Sequence, residues 1–111
     1  AGLERCLLTG ANLYKADLGG RRTRLSAADL SRADLRAANL AGVDLTGAVL
    51  TGADLRSANL RLALLCGADL TDARLEDADL TGADLEQAIM FSARLAGAAM
   101  PDGRRRRRIR G

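Results

Sequence analysis

From Leu25 to Met100 every fifth residue is leucine or methionine, sixteen positions in succession, with Met90 and Met100 the two that are not leucine. Two residues ahead of each stands a small side chain, alanine at fourteen of the sixteen, with Thr23 and Val43 the others. The residue between is Asp or Asn at nine of the sixteen, as in Ala28-Asp29-Leu30 and Ala38-Asn39-Leu40. This interval suits neither regular element. Five residues of α-helix advance a side chain by about 500°, so successive leucines would lie about 140° apart and form no stripe. In a flat strand an odd interval sends them to opposite faces. An Ala and a Leu two residues apart can, however, share one side of a short extended segment. The chain must then turn within the next two residues for the following Ala and Leu to point inward as well. Repeated, this coils the chain around an axis, each coil bonding to the next at about the 4.8 Å strand spacing. Glycines at the second corner position, such as Gly42, Gly52 and Gly82, fit so tight a bend.

The register slips once. Leu3, Leu8, Leu13 and Leu18 also recur at five, preceded at two residues by Ala1, Cys6, Ala11 and Ala16, but Leu18 to Leu25 spans seven. Gly19–Arg24 therefore holds a two-residue insertion, expected as a bulge or small loop at one corner. Composition agrees with a narrow core. Hydrophobic residues make up 48% of 111, yet there is one Phe, one Tyr and no Trp, so the interior must be thin and regular.

Charge divides the chain. Residues 1–103 hold 11 basic and 14 acidic side chains, net −3, whereas Arg104–Arg108 and Arg110 add six positive charges. We expect a weakly anionic β-helical body over 1–103 and an arginine-rich, disordered tail over 104–111. Cys6 and Cys66 make no disulfide framework by number or spacing, and they are expected to face opposite ways, Cys6 packing as a small inward residue. No run of 18 apolar residues occurs, so no transmembrane helix is expected. The expected compartment is the cytoplasm, with an organelle or the thylakoid lumen as the alternative if a targeting segment has been lost upstream of Ala1.

In its Ala-(Asp/Asn)-Leu-x-x string the chain resembles the pentapeptide-repeat family over essentially residues 1–100. The resemblance implies an all-β fold, a right-handed quadrilateral β-helix with four pentapeptides per coil and about five coils. It also implies two functional readings. Some members are fluoroquinolone-resistance proteins that imitate DNA and bind DNA gyrase; many others have no assigned activity.

Catalysis finds little support: there is no His, no Ser/His/Asp or Cys/His arrangement, and no phosphate-cradling glycine motif. No cofactor or metal is expected. A rigid, non-catalytic protein-interaction or scaffold module is the favoured reading, with a DNA-mimicking gyrase ligand as its rival. Leu62, Leu64, Ile89 and Phe91 break the polar code of the outward positions and are candidate contacts for a protein partner. Arg21, Arg22 and Arg24 at the slip are candidates too. The tail arginines Arg104, Arg105, Arg106, Arg107, Arg108 and Arg110 could hold nucleic acid or an anionic surface, without base stacking, since no aromatic residue interleaves with them. Arg32, Arg36, Arg56, Arg61, Arg74 and Arg94 are expected to be spread so that no long face is free of positive charge, which argues against a DNA mimic.

Overall fold

A computed structural model of the protein describes residues 2–20 and 23–102. The chain winds into successive coils, and parallel bridges join each outward strand residue to its counterpart one coil on: Arg24 to Asp44, Asp44 to Leu64, Leu64 to Asp84. The interval is twenty residues, four pentapeptides, so each coil has four sides. We number them I to IV from the sides ending in Leu25, Leu30, Leu35 and Leu40. Across the slip the interval is twenty-two, as in Leu7 to Asp29 and Asp17 to Asn39. The insertion is thus absorbed within the first coil, after Leu18, and every later side stays in register.

One repeat shows why five residues suffice. In Ala68-Asp69-Leu70-Thr71-Asp72 every backbone N–H is used. Asp69 N–H donates to Ala48 in the coil before (2.9 Å), whereas Leu70 and Asp72 donate to Ile89 and Phe91 in the coil after (2.7 and 3.0 Å). Ala68 N–H donates across the preceding corner to Leu65 O at 3.0 Å, closing a β-turn. Only Thr71 N–H is left, and it donates to Asp69 Oδ1 at 3.0 Å. The outward Asp or Asn therefore caps the corner, an Asx-type bond that only a short side chain carrying an oxygen can make. Equivalent bonds from the backbone N–H two residues on are accepted by Asn12, Asp17, Asp29, Asp34, Asn39, Asp44, Asp54, Asn59, Asp79 and Asp84. At Ala99 no cap is needed, because the residue two on is Pro101, which has no N–H.

From Arg5 to Gly97 the corners place their second residue at positive φ, the mark of a type II turn. Glycine fills some of these positions, but Leu62 (φ 61°) and ten other non-glycine residues occupy the rest. Inside, the leucines Leu25 through Leu80 are fully buried, stacked with alanines of similar burial. Leu3, Leu8, Leu13 and Leu18 in the first described coil, and Leu85, Met90, Leu95 and Met100 in the last, are only partly covered.

The slip carries a prediction. Deleting Arg21 and Arg22 would leave Leu18-Gly19-Gly20-Thr23-Arg24-Leu25, a regular pentapeptide interval. The deletion variant is expected to melt at or slightly above the parent temperature, since a loop is shortened and the ladder is intact. A marked fall in melting temperature would show that the insertion supports the first coil.

Candidate interaction surfaces

The outward side chains form columns, residues twenty apart standing over one another. Side III stacks Asp34, Asp54, Arg74 and Arg94, with Arg36, Arg56 and Glu76 beside them. Arg36 grips Asp34 with two bonds of 2.9 Å, and Arg56 grips Asp54 at 2.8 and 2.6 Å. Those bonds hold both carboxyls below their ordinary pKa and push both guanidinium values up. In the next coil the order reverses, with Arg74 at the Asp54 position and Glu76 at the Arg56 position. There Arg74 Nε and Glu76 Oε1 are buried without a hydrogen-bond partner. Tyr14 closes the N-terminal end of the side, its ring 4.9 Å from the Arg36 guanidinium and 5.3 Å from Lys15 Nζ. Exposed ion pairs of this kind contribute little to stability.

Side II departs from the expectation that every long face carries positive charge. Arg36, Arg56, Arg74 and Arg94 share side III, with Arg32 at its leading corner, and Arg61 stands on side IV paired with Asp79 at 3.2 Å. The outward positions of side II carry no Lys or Arg among the described residues. The twenty-residue coil brings four of these six arginines to one side, where they stand among acidic residues.

Side II is instead apolar and hydroxylated. Leu7, Asp29, Val49, Asp69 and Ile89 form its column, flanked by Thr9, Ser31, Thr51, Thr71 and Phe91. Asp29 and Asp69 are not free anionic groups pointing outward. Ser31 and Thr71, through hydroxyl first and backbone N–H second, hold their carboxyls below the ordinary pKa. Leu7, Ile89 and Phe91 are 82%, 50% and 75% exposed. Leu7 and Tyr14 join the exposed apolar residues although the outward code does not single them out. For Leu7 the sequence holds a signal, since it lies twenty-two residues before Asp29 once the slip is counted.

Leu62 and Leu64 lie elsewhere, at the corner from side IV to side I. With Gly20, Ala41, Gly42, Asn59 and Arg61 they line a groove of about 690 Å³. The four apolar contact candidates form two patches, Leu62 with Leu64 and Ile89 with Phe91. Among the slip residues, Arg24 is exposed and lies 3.8 Å from Glu4, while Arg21 and Arg22 fall outside the described residues. So do the tail arginines. Cys66 and Cys6 are both free thiols. The Asp84 carboxylate, accepting from the Cys66 thiol, raises the thiol's pKa, the opposite of activation.

The five-residue repeat is matched by the family model described as pentapeptide repeats, in 8 copies over residues 28–67 and 68–102. The chain is a pentapeptide-repeat protein. Among solved structures this pentapeptide-repeat chain is similar to HetL, involved in heterocyst differentiation regulation in the cyanobacterium Nostoc sp. strain PCC 7120. The likeness has 44% identity and TM-score 0.60, covering 96% of this chain and 52% of HetL. It is also similar to QnrB1, a plasmid-mediated fluoroquinolone resistance protein, at 17% identity and TM-score 0.65, over 89% of this chain and 62% of QnrB1. At that identity the second likeness concerns the fold alone. The chain spans about half the length of HetL. Among curated protein sequences none matches it. Within the described residues no helix is long and apolar enough to cross a membrane.

Proposed function

We propose that this protein is a rigid, non-catalytic scaffold that binds a protein partner through the apolar part of side II. The right-handed turn and the binding role are taken from its family and its surface. One observation carries the reading: Ile89 occupies an outward position where the fold favours Asp or Asn. A side chain there without an oxygen gives up the cap for the N–H two residues on, here that of Phe91. Folding alone gains nothing from the exchange. A half-exposed Ile beside a three-quarters-exposed Phe does gain from contact with another protein.

The test is affinity capture with the parent chain and with Ile89→Ser and Phe91→Ser variants. A specific partner should be retained by the parent and lost from both variants, with melting temperatures unchanged. Equal capture by all three would remove side II from the proposal. A gyrase ligand needs a continuous anionic face. Side II offers Asp29 and Asp69 separated by Val49, and side III carries both signs, Asp34 and Asp54 followed by Arg74 and Arg94. Residues 1–103, which leave out the DNA-binding hazard of the tail, are therefore expected neither to inhibit gyrase supercoiling nor to protect it from fluoroquinolones at about micromolar concentration, where a specific complex would form. Salt-sensitive inhibition by this body would replace the scaffold reading with the DNA mimic.

A further inference from the structure

Two coils in succession break the outward code of side III in the same way. Arg74 and Arg94, joined by a parallel bridge, stand where Asp34 and Asp54 stand in the two coils before. An arginine side chain carries no oxygen. The corner cap that Asp54 gives to Arg56 N–H at 3.2 Å therefore has no counterpart for Glu76 N–H or Ala96 N–H. The exchange also stacks two arginines in neighbouring coils, about 4.8 Å apart along the axis, and like charges directly opposite each other on a ladder are unfavourable. No carboxylate offsets this. Among the described residues Arg24, Arg36, Arg56 and Arg61 are paired with Glu4, Asp34, Asp54 and Asp79, whereas Arg74 and Arg94 have no such pair. Asp54, the acidic neighbour of Arg74 in the column, is held by two bonds from Arg56. Arg74 Nε is buried without a hydrogen-bond partner. Folding is not served by any of these features.

The two arginines open on a cleft. With Asp72 and Ser92, second residues of the corner between sides II and III, they line a space of about 580 Å³. The lining brings together two guanidinium groups, one hydroxyl and one carboxylate, and Glu76 is not part of it. Guanidinium groups a coil apart can each donate to a different oxygen of one tetrahedral oxyanion. The Ser92 hydroxyl can add a further donor. Asp72 then selects among oxyanions, because a carboxylate accepts a hydrogen bond from a ligand that carries a proton and repels one that does not. Free phosphate keeps at least one P–O–H at neutral pH. Sulfate keeps none, and a phosphate monoester, with a second pKa of about 6, has lost its own by about pH 7.5. We propose that this cleft binds free hydrogen phosphate, with Arg74, Arg94 and Ser92 donating to its oxygens and Asp72 accepting from its hydroxyl. The proposal is independent of the side II reading.

Proton–nitrogen NMR spectra of the full chain test it, titrated with sodium phosphate at constant ionic strength and about pH 7.5, where a monoester is ionised. The amides of Asp72, Ser92 and Arg94 and the Nε–H of Arg74 should shift together and saturate. Sodium sulfate and methyl phosphate should bind there at least roughly tenfold more weakly, the worth of one hydrogen bond to a charged group. Arg74→Asn and Arg94→Asn each restore the cap that Asn39 and Asn59 make, so both should melt at or above the parent temperature. Each should nevertheless weaken phosphate binding roughly tenfold or more. Asp72→Asn, which removes the acceptor charge, should let sulfate and phosphate bind alike. The proposal is overturned by the absence of a saturating shift at the cleft, by equal binding of sulfate to the parent, or by unchanged affinity in Arg74→Asn. An undiminished preference for phosphate in Asp72→Asn would overturn it as well.

Discussion

Leu55→Asp should abolish the folded state. Leu55 is fully buried, between Leu35 and Leu75 in the side III ladder, and its N–H is committed to Arg74 O at 2.7 Å. Removing the leucine side chain alone costs about 2–5 kcal/mol in a close-packed core. A carboxylate in its place has no donor within an interior made of Leu and Ala, which adds several kcal/mol or forces the acid to stay protonated. Against a total of roughly 5–15 kcal/mol for an ordinary domain, the sum is decisive. Circular dichroism and thermal melting of the variant should show no cooperative transition. The same change at Leu95, only partly buried in the last described coil, should lower melting without destroying it. If Leu55→Asp melts like the parent, the leucine ladder is not the core.

Ala68→Leu should destabilise by about 1–3 kcal/mol or more, although it adds apolar surface. Ala68 is fully buried in the inward column of Cys6, Ala28, Ala48 and Ala88. Its backbone bonds to the coils on either hand leave it no freedom to retreat. Ala68 O accepts from Ile89 N–H at 2.9 Å, and Asp69 N–H donates to Ala48 O at 2.9 Å. Extra methylenes would have to widen one coil while its neighbours keep their width, stretching the ladder bonds on both sides. Ala68→Cys is the matched control, since Cys6 already fills the same column, and it should be nearly neutral. Chemical denaturation of the two variants reads the difference directly. Equal stability of Ala68→Leu and Ala68→Cys would mean that the interior has slack that a close-packed solenoid does not have.

Both expectations rest on features visible in the sequence. The inward leucine and alanine columns follow from the period alone, because a five-residue interval leaves a coil as the one way to point every Leu to a common axis. The seven-residue step from Leu18 to Leu25 likewise places the inserted pair by counting alone. The outward code is less legible. Asp69 and its equivalents form a visible pattern, but their role as corner caps is not visible, since a cap depends on the turn bringing Thr71 N–H to within 3.0 Å of Asp69 Oδ1. Once that role is known, Leu64, Ile89 and Arg74 stand out as departures from it.

What the sequence by itself determined was the local rule: two inward residues, one outward residue and a two-residue corner, repeated. What the tertiary structure decided was which repeats lie over one another. That depends on how far each corner turns the chain and on hydrogen bonds between residues nineteen to twenty-three apart, such as Leu70 to Ile89 and Asp29 to Cys6. A change in the number of sides would leave the five-residue pattern untouched and reassign every column. The gathering of arginines on side III, the separation of Leu62 from Ile89 and the stacking of Arg74 with Arg94 all follow from the four-sided coil, because surface neighbours in a solenoid are set by stacking and not by the order of the chain.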